Sequence, residues 1–546
     1  MKRIFSITII TIGLALGSCN KLVDEQPISS GLLSSFFHNK LDADAAVAGM
    51  YAEFQITMIN NSGGQYNNRI TWWGEARSDN WERRPVYALA SQNEIDFNGL
   101  TSTNTYADWT LLYRTISRAN LLLRNLPLIK NYTTPGTTLA LTPALEASYT
   151  AQALTMRALC YFWIARVWGD APLRTTVYDP GDVAEQAKDP QAKILQQCKD
   201  DLQAAYDLTI KGQTPIVFYL GEGAICSIAA DVYMWDKDYT NAIKWFKLLF
   251  AAKAPTGKVY NAAGTGVTGS GGSAADLQSG PTWNVQFATP AASPESIFNI
   301  HWDATANGCA CMAGISKTTN EPLIRMADPL WTAWPTKSTA LYGTTTATTD
   351  IRVKQTYNTS SSTNQPIRDR SFWKFYPGTF VAATATAGYT FTSTNYGGQV
   401  ANVPATDQTN VYIPMYRLSG MYLLYAEALN KTNDPTDAVK YLNLVKARAG
   451  VPTVTTAQFA DQASLELAIL DERQLELIGE GVRWFDLVRT DRVASIMDPI
   501  LKARQLVAGN AQVGWGTDKR RYYWPIASTV LYSNNLLVQN PVYNGQ

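Results

Sequence analysis

The 546-residue sequence predicts a mainly α protein, a scaffold of helical hairpins interrupted by one long loop-rich insertion that contains short strands. Three observations predict this class. Apolar residues recur at three-to-four spacing over much of 19–254 and again over 415–546. Between Pro255 and Pro414 that period gives way to short alternating or aromatic runs among Gly, Thr, Asn and Pro. Two separate stretches also repeat one design: a helix rich in small residues, a polar turn, and a second helix whose buried face carries aromatic residues.

The chain starts with Lys2 and Arg3, an apolar run from Ile4 to Leu16, and Leu16-Gly17-Ser18-Cys19, which together resemble a bacterial lipoprotein signal. The run is too short for a stable bilayer span, and a buried globular helix would carry more polar residues than Ser6, Thr8 and Thr11. Residues 1–18 are therefore expected to be removed, and Cys19 to become a lipidated first residue. Asn20 after Cys19 is similar to sorting signals for the outer membrane. Loss of Lys2 and Arg3 takes the 46 basic residues to 44 against 45 acidic ones, so the net charge moves from +1 to −1. Such a balance gives no basic field to recruit nucleic acid.

Helical periodicity then covers Asp42 to Asn60, Tyr106 to Asn131, Pro143 to Trp168, Gln191 to Ile210, Gly221 to Trp235 and Tyr239 to Ala252. Within Ala224 to Phe250, Ala229, Ala230, Val232 and Tyr233 face Ala242, Ile243 and Phe246 across an Asp236-Lys237-Asp238 turn, as in a tetratricopeptide-like hairpin. The insertion follows, with strand-like runs at Ser296 to Trp302 and Ser371 to Tyr376 and a Gly/Ser/Ala-rich loop at Ala262 to Ala275. Helices resume at Ser419 to Leu429 and Asp437 to Ala449, a second hairpin that turns at Asn433-Asp434-Pro435, and end in a pattern from Ala463 to Arg492. No long Pro-rich or charged linker separates these parts, so 19–546 is expected to form one domain of three sections: 19–254, 255–414 and 415–546.

Cysteine and histidine usage argues against metal or redox chemistry. Cys160, Cys198 and Cys226 lie in helical patterns and are expected as small core residues. Cys309 and Cys311 stand in a loop, separated by one residue, with no further cysteine to complete a metal set. His38 and His301 are the only histidines. Neither a metal nor a cofactor is predicted. Gly264 to Gly269 matches a dinucleotide fingerprint in letters, but it runs on into Ser270-Gly271-Gly272 instead of a helix that would hold a pyrophosphate.

The most specific motif is Asp471 to Arg489, Asp-Glu-Arg-Gln-Leu-Glu-Leu-Ile-Gly-Glu-Gly-Val-Arg-Trp-Phe-Asp-Leu-Val-Arg. It resembles the C-terminal signature of SusD/RagB-like outer-membrane lipoproteins. Arg157-Ala158 through Tyr161 to Trp168-Gly169-Asp170-Ala171-Pro172-Leu173, Glu75 to Asn80, Trp109 to Tyr113 with Arg118-Ala119-Asn120, Tyr416-Arg417-Leu418 and Arg521 to Ile526 extend the resemblance along the chain. The physics of the signature is structural. Glu472, Glu476 and Glu480 are four apart on one helical face, and Arg473, Arg483, Arg489 and Asp486 can pair with neighbours. A glycosidase needs two carboxylates across a sugar-sized gap with separated pKa values, whereas arginines crowding one face would keep all of these ionised. No enzyme activity is predicted.

Aromatic surface supplies the remaining signal. Trp72, Trp73 and Trp81 flank Glu75 to Asn80, while Trp283, Trp302, Trp331, Trp334, Trp373 and Tyr396 lie in or beside the insertion. A ring beside Asn, Asp or Arg offers a face to a sugar's C–H groups and partners to its hydroxyls. On loop context and polar neighbours, Trp81, Arg83, Cys309, Arg368 and Tyr396 are the ligand-binding candidates. The resemblance implies a non-catalytic, cell-surface lipoprotein that captures oligosaccharides for a TonB-dependent, SusC-like β-barrel transporter. A peptide-capturing member of the same family is the alternative.

Overall fold

In the computed structural model, residues 37–59, 68–83, 90–129, 139–178, 182–261, 276–303 and 411–543 are described, with shorter pieces between 306 and 392. The expected signal peptide with Cys19, the Gly264 to Gly269 loop, Cys309, Cys311, Trp331, Arg368, Trp373 and Tyr396 lie outside the described residues.

The protein is mainly helical. Lys40–Met58 begins at Asn39, whose side chain accepts the backbone N–H groups of Leu41 and Asp42, and it packs on Thr110–Ile129. That helix packs on Pro143–Trp168, which in turn packs on Gln191–Leu208, so successive helices form a continuous layer. Cys160 and Cys198 are buried free thiols within it, and Cys226 is a buried free thiol on the next helix, Glu222–Trp235.

Both predicted hairpins are present and touch each other. In the first, Glu222–Trp235 turns into Tyr239–Ala251 through Lys237 in the left-handed region, and the Asp238 carboxylate caps Asn241. In the second, Leu418–Lys431 turns into Pro435–Arg448 through left-handed Asn433, and Asp434 caps Asp437. Ala229, Ala230, Ala242, Ala426, Ala428 and Ala438 are fully buried, because only small side chains let the helix backbones approach this closely. Phe246, Phe250, Tyr422, Tyr425 and Tyr441 then fill the junction between hairpins, with ring centroids as close as 4.8 Å.

The predicted strand Ser296–Trp302 pairs antiparallel with Val411–Arg417, and this ribbon brackets residues 303–410 of the insertion. Ser296 lies opposite Arg417 at the closed end, and Trp302 lies opposite Val411 where the chain departs into 303–410. Small two-stranded pairs, Trp81–Arg83 with Ile324–Met326 and Thr379–Val381 with Thr390–Thr392, add little further sheet.

One sequence expectation is corrected. The pattern from Ala463 to Arg492 is not a single helix: Gln462–Leu477 stops, the chain turns through Ile478 to Val482, and Arg483–Arg489 starts a new short helix. Gly479 and Gly481 cause the break, with φ of 83° and 79°. Close packing fixes it, since a Cβ on Gly481 would lie 2.4 Å from Ile70 Cγ2, and one on Gly74 would lie 2.0 Å from the Gly481 carbonyl oxygen. Glu480 is therefore in the turn and not on the helical face of Glu472 and Glu476. From the insertion, Phe372 and Phe375 pack over Gly479, while Lys374 donates to the carbonyls of Glu476 and Ile478 and to Glu480.

Candidate functional site

The signature carboxylates are consumed by arginines. Glu476, fully buried, accepts from Arg417 at 2.5 Å, from Arg352 at 2.9 Å and from Arg448. Arg352 also binds Asp350 and Glu472, Arg417 binds Glu480 at 2.7 Å and Glu295 at 3.3 Å, and Arg448 binds Glu295 at 2.5 Å. Burial alone would neutralise Glu476, but Arg448, Arg417 and Arg352 hold its pKa well below the usual carboxylate range. Further along, Arg473 forks onto Asp486, Arg489 bridges Glu427 and Asp486, and Arg483 reaches Asp79 at 2.8 Å. Most of these pairs tie two distant chain segments together. The expected pairing across turns and to neighbouring elements is what the geometry shows.

A second buried carboxylate is built differently. Glu75 Oε2 accepts from the Asn80 amide at 2.6 Å and from Trp81 Nε1 at 3.1 Å; Oε1 accepts the backbone N–H groups of Gly481 and Val482. Burial pushes its pKa up to about 7, while the Asn80, Trp81, Val482 and Gly481 donors pull the other way. Nearby, Arg77 stacks on the rings of Trp484 and Trp515 and donates to the carbonyls of Tyr522 and Arg521, so the Glu75–Asn80 motif clamps the C-terminal segment.

Of the five ligand candidates, Trp81 and Arg83 fall within the described residues, and Trp81 requires correction. Its side chain is fully buried, its N–H goes to Glu75, and Phe372 packs edge-on against it with centroids 5.2 Å apart. The polar run Glu82-Arg83-Arg84 suggested exposure, but pairing of Trp81 with Met326 turns the ring into the core. Arg83 is half-buried on the same strand, its Nε 3.8 Å from Asp96 and its guanidinium over the ring of Phe97. Arg504 shares Asp96 at 3.0 Å, and Arg325 pairs with Glu82 at 2.7 Å. Gln92, on the adjoining helix Ala90–Asp96, is buried with neither amide atom hydrogen-bonded. Arg83 thus sits in a polar margin on well-packed elements. The tryptophans Trp72, Trp73, Trp283, Trp302 and Trp334 are buried packing residues.

Sequence reasoning passed over a separate aromatic group. His301 and Tyr412 face each other in register on the outer side of the bracketing ribbon, half-buried, with ring planes 4° apart and centroids at 4.8 Å. Phe218, also half-buried, lies 5.0 Å from His301 and 5.9 Å from Tyr412. The alternation in Ser296 to Trp302, with Asn299 and His301 between apolar neighbours, was the available signal.

Comparison with known proteins agrees over the whole chain. The profile described as "SusD family" matches residues 327–543, and that described as "Starch-binding associating with outer membrane" matches 26–234. SusD-like protein P38 of Formosa agariphila is 27% identical, with all of both chains covered, and SusD-like protein P2 of the same organism is 23% identical over the same extent. Among solved structures, a SusD superfamily protein from Bacteroides vulgatus superposes with a TM-score of 0.66 at 18% identity, covering 93% of this chain and 99% of its own. A protein described as a laminarin-binding SusD-like protein superposes with a TM-score of 0.63 at 18% identity, covering 93% of this chain and all of its own. With the signature, the hairpins and the buried ion cluster in place, the chain belongs to the SusD/RagB family, whose members are binding proteins associated with the outer membrane.

Proposed function

We propose that this protein is a non-catalytic, lipid-anchored glycan-binding protein of the outer-membrane surface that passes oligosaccharides to a TonB-dependent, SusC-like transporter. Full-length agreement with SusD-like proteins carries the reading, since it spans both helical parts and the insertion between them. The laminarin-binding description of one structural neighbour supports a glycan as cargo. The ion cluster supports a binding role as well, because its acids are spent on arginines. Residues 19–546 act in this reading as one unit, anchored through Cys19, with no metal or cofactor. Arg83 together with Cys309, Arg368 and Tyr396 remains the proposed ligand margin.

The test is calorimetric titration of the detergent-solubilised mature protein with neutral, acidic and host-type oligosaccharides, with Arg83→Ala alongside. Saturable binding to one glycan class, weakened in the variant, is the expected result. No binding to any glycan, with peptides binding instead, would overturn it.

A further inference from the structure

Three buried side chains of the insertion seat on the glycine turn of the signature. Phe372 and Phe375 close over Gly479, where a Cβ would lie 2.6 Å and 3.3 Å from their rings, and Lys374, between them in the chain, is fully buried. Its Nζ donates to the Glu476 carbonyl at 3.0 Å, the Ile478 carbonyl at 3.1 Å and Glu480 Oε1 at 2.5 Å. An ammonium has three N–H groups, and here each has an acceptor, which fixes the side chain in place. Trp283 and Phe287 wall the group, with ring centroids 5.0 Å and 5.1 Å away.

Charge alone does not account for this lysine. Glu480 is already held by Arg417, whose Nε and Nη2 reach its two oxygens at 2.8 Å and 2.7 Å, and Arg417 also donates to the Glu476 carbonyl at 2.6 Å. The turn is therefore charge-paired without the insertion, and what Lys374 adds is the attachment of residues 372–375 to it. That attachment leads outward. The Phe372 ring meets Trp81 edge-on with centroids 5.2 Å apart, and Trp81 opens the short strand that carries Arg83. Arg504 grips the same strand: it donates to the Trp81 carbonyl and pairs at 3.0 Å with Asp96, which Arg83 faces at 3.8 Å. Contacts thus run from Lys374 through Phe372 and Trp81 to Arg83.

We propose that Lys374 is a positioning residue for ligand capture: its three-point attachment to the signature turn seats Phe372 on Trp81 and so sets where the Trp81–Arg83 strand presents Arg83. Lys374 is buried and touches no ligand itself. What Arg83 binds rests on the glycan-capture reading above; the linkage from Lys374 to Arg83 does not.

The experiment compares the mature full-length protein in detergent with Lys374→Met, Arg83→Ala and the double variant. Each is titrated with laminarin oligosaccharides and with maltooligosaccharides, and amide hydrogen exchange is followed by mass spectrometry without ligand. Methionine keeps the length of the side chain and removes its donors, while Arg417 still neutralises Glu480, so no buried charge is left unpaired. Lys374→Met is expected to melt cooperatively, to weaken binding about tenfold, and to raise exchange at 81–83 and 372–375 while the hairpin 222–251 stays unchanged. Because both residues act on one contact, Arg83→Ala should cost far less affinity in the Lys374→Met background than in the wild type. Additive losses, or a folded Lys374→Met with wild-type affinity, would reduce Lys374 to a packing residue and overturn the proposal. So would unchanged exchange at 81–83, whether or not either glycan binds. A wild type that binds neither glycan fails the capture reading and not the linkage, which exchange then decides. Should Lys374→Met fail to fold, Phe372→Leu, which keeps an apolar side chain over Gly479 but gives up the ring contact with Trp81, is judged by the same readouts.

Discussion

At the residue scale, the charges of this protein act as internal fasteners, and Glu476 is the clearest case. It neutralises three buried arginines, so Glu476→Ala leaves uncompensated charge in the core and should cost about 3–5 kcal/mol, read by urea unfolding. Ligand affinity of the remaining folded fraction should not change, and a selective loss of affinity without loss of stability would contradict a structural role. Glu75 predicts a pH dependence. Its native pKa of about 7 lies above the value of 4.5 that suits an unfolded chain, so the native state binds the proton more tightly. Its contribution to stability is full below about pH 4.5, falls by about 3 kcal/mol as pH rises to about 7, and is flat above that. Unfolding free energies measured across this range should lose that component in Glu75→Gln. The pairing capacity of these acids was legible in the spacing of Glu and Arg in the sequence. The partners were not, because Asp79, Glu295, Arg352 and Arg417 reach Arg483, Arg448, Glu476 and Glu480 from segments tens to hundreds of residues away.

At the element scale, helices were read accurately where one apolar face repeats without interruption. Pro143–Trp168 has the predicted limits, with Thr142 as its cap and Gly169 ending it. The misreading came at Ile478 to Val482, where apolar and charged residues keep the helical rhythm but two glycines in the left-handed region break the helix. Contact, more than conformation, makes that turn irreplaceable. Gly74→Ala would drive a methyl group into the Gly481 carbonyl and is expected to destabilise the protein by several kcal/mol, whereas Gly509→Ala, at φ 72° with nothing within 4 Å of the new Cβ, should cost only about 1–2 kcal/mol. Thermal melts of the two variants check this ordering, and equal losses would mean that backbone strain and not packing governs the turn. The candidate site was less legible than the helices. Trp81 carries the sequence marks of a surface aromatic, yet strand pairing turns it inward, while His301 and Tyr412 become neighbours only because residues 111 positions apart pair in register.

At the scale of the whole molecule, N-terminal and C-terminal segments are interlocked. Arg77 is inserted among Trp484, Trp515 and the 521–522 carbonyls, and Trp168 donates to the Pro525 carbonyl at 3.0 Å. One hydrophobic core runs from Phe37 to Tyr543. The proposed anchor, Cys19, precedes the described residues in sequence, so Cys19→Ala should release a folded protein from the outer-membrane fraction, as read by fractionation and immunoblot, and should leave a β-barrel partner behind. Retention of the variant in the membrane would refute lipidation as the anchor. By itself the sequence determined the helical class, the two hairpins, the strand Ser296–Trp302 within the insertion and the family, because each is written in local spacing or in a contiguous motif. Only the tertiary structure decided which charges pair, where the signature helix breaks and which aromatic rings reach the surface. Those outcomes depend on segments distant in sequence arriving at the same place, and burial at that place, more than residue type, sets whether a ring or a carboxylate packs, pairs or meets a ligand.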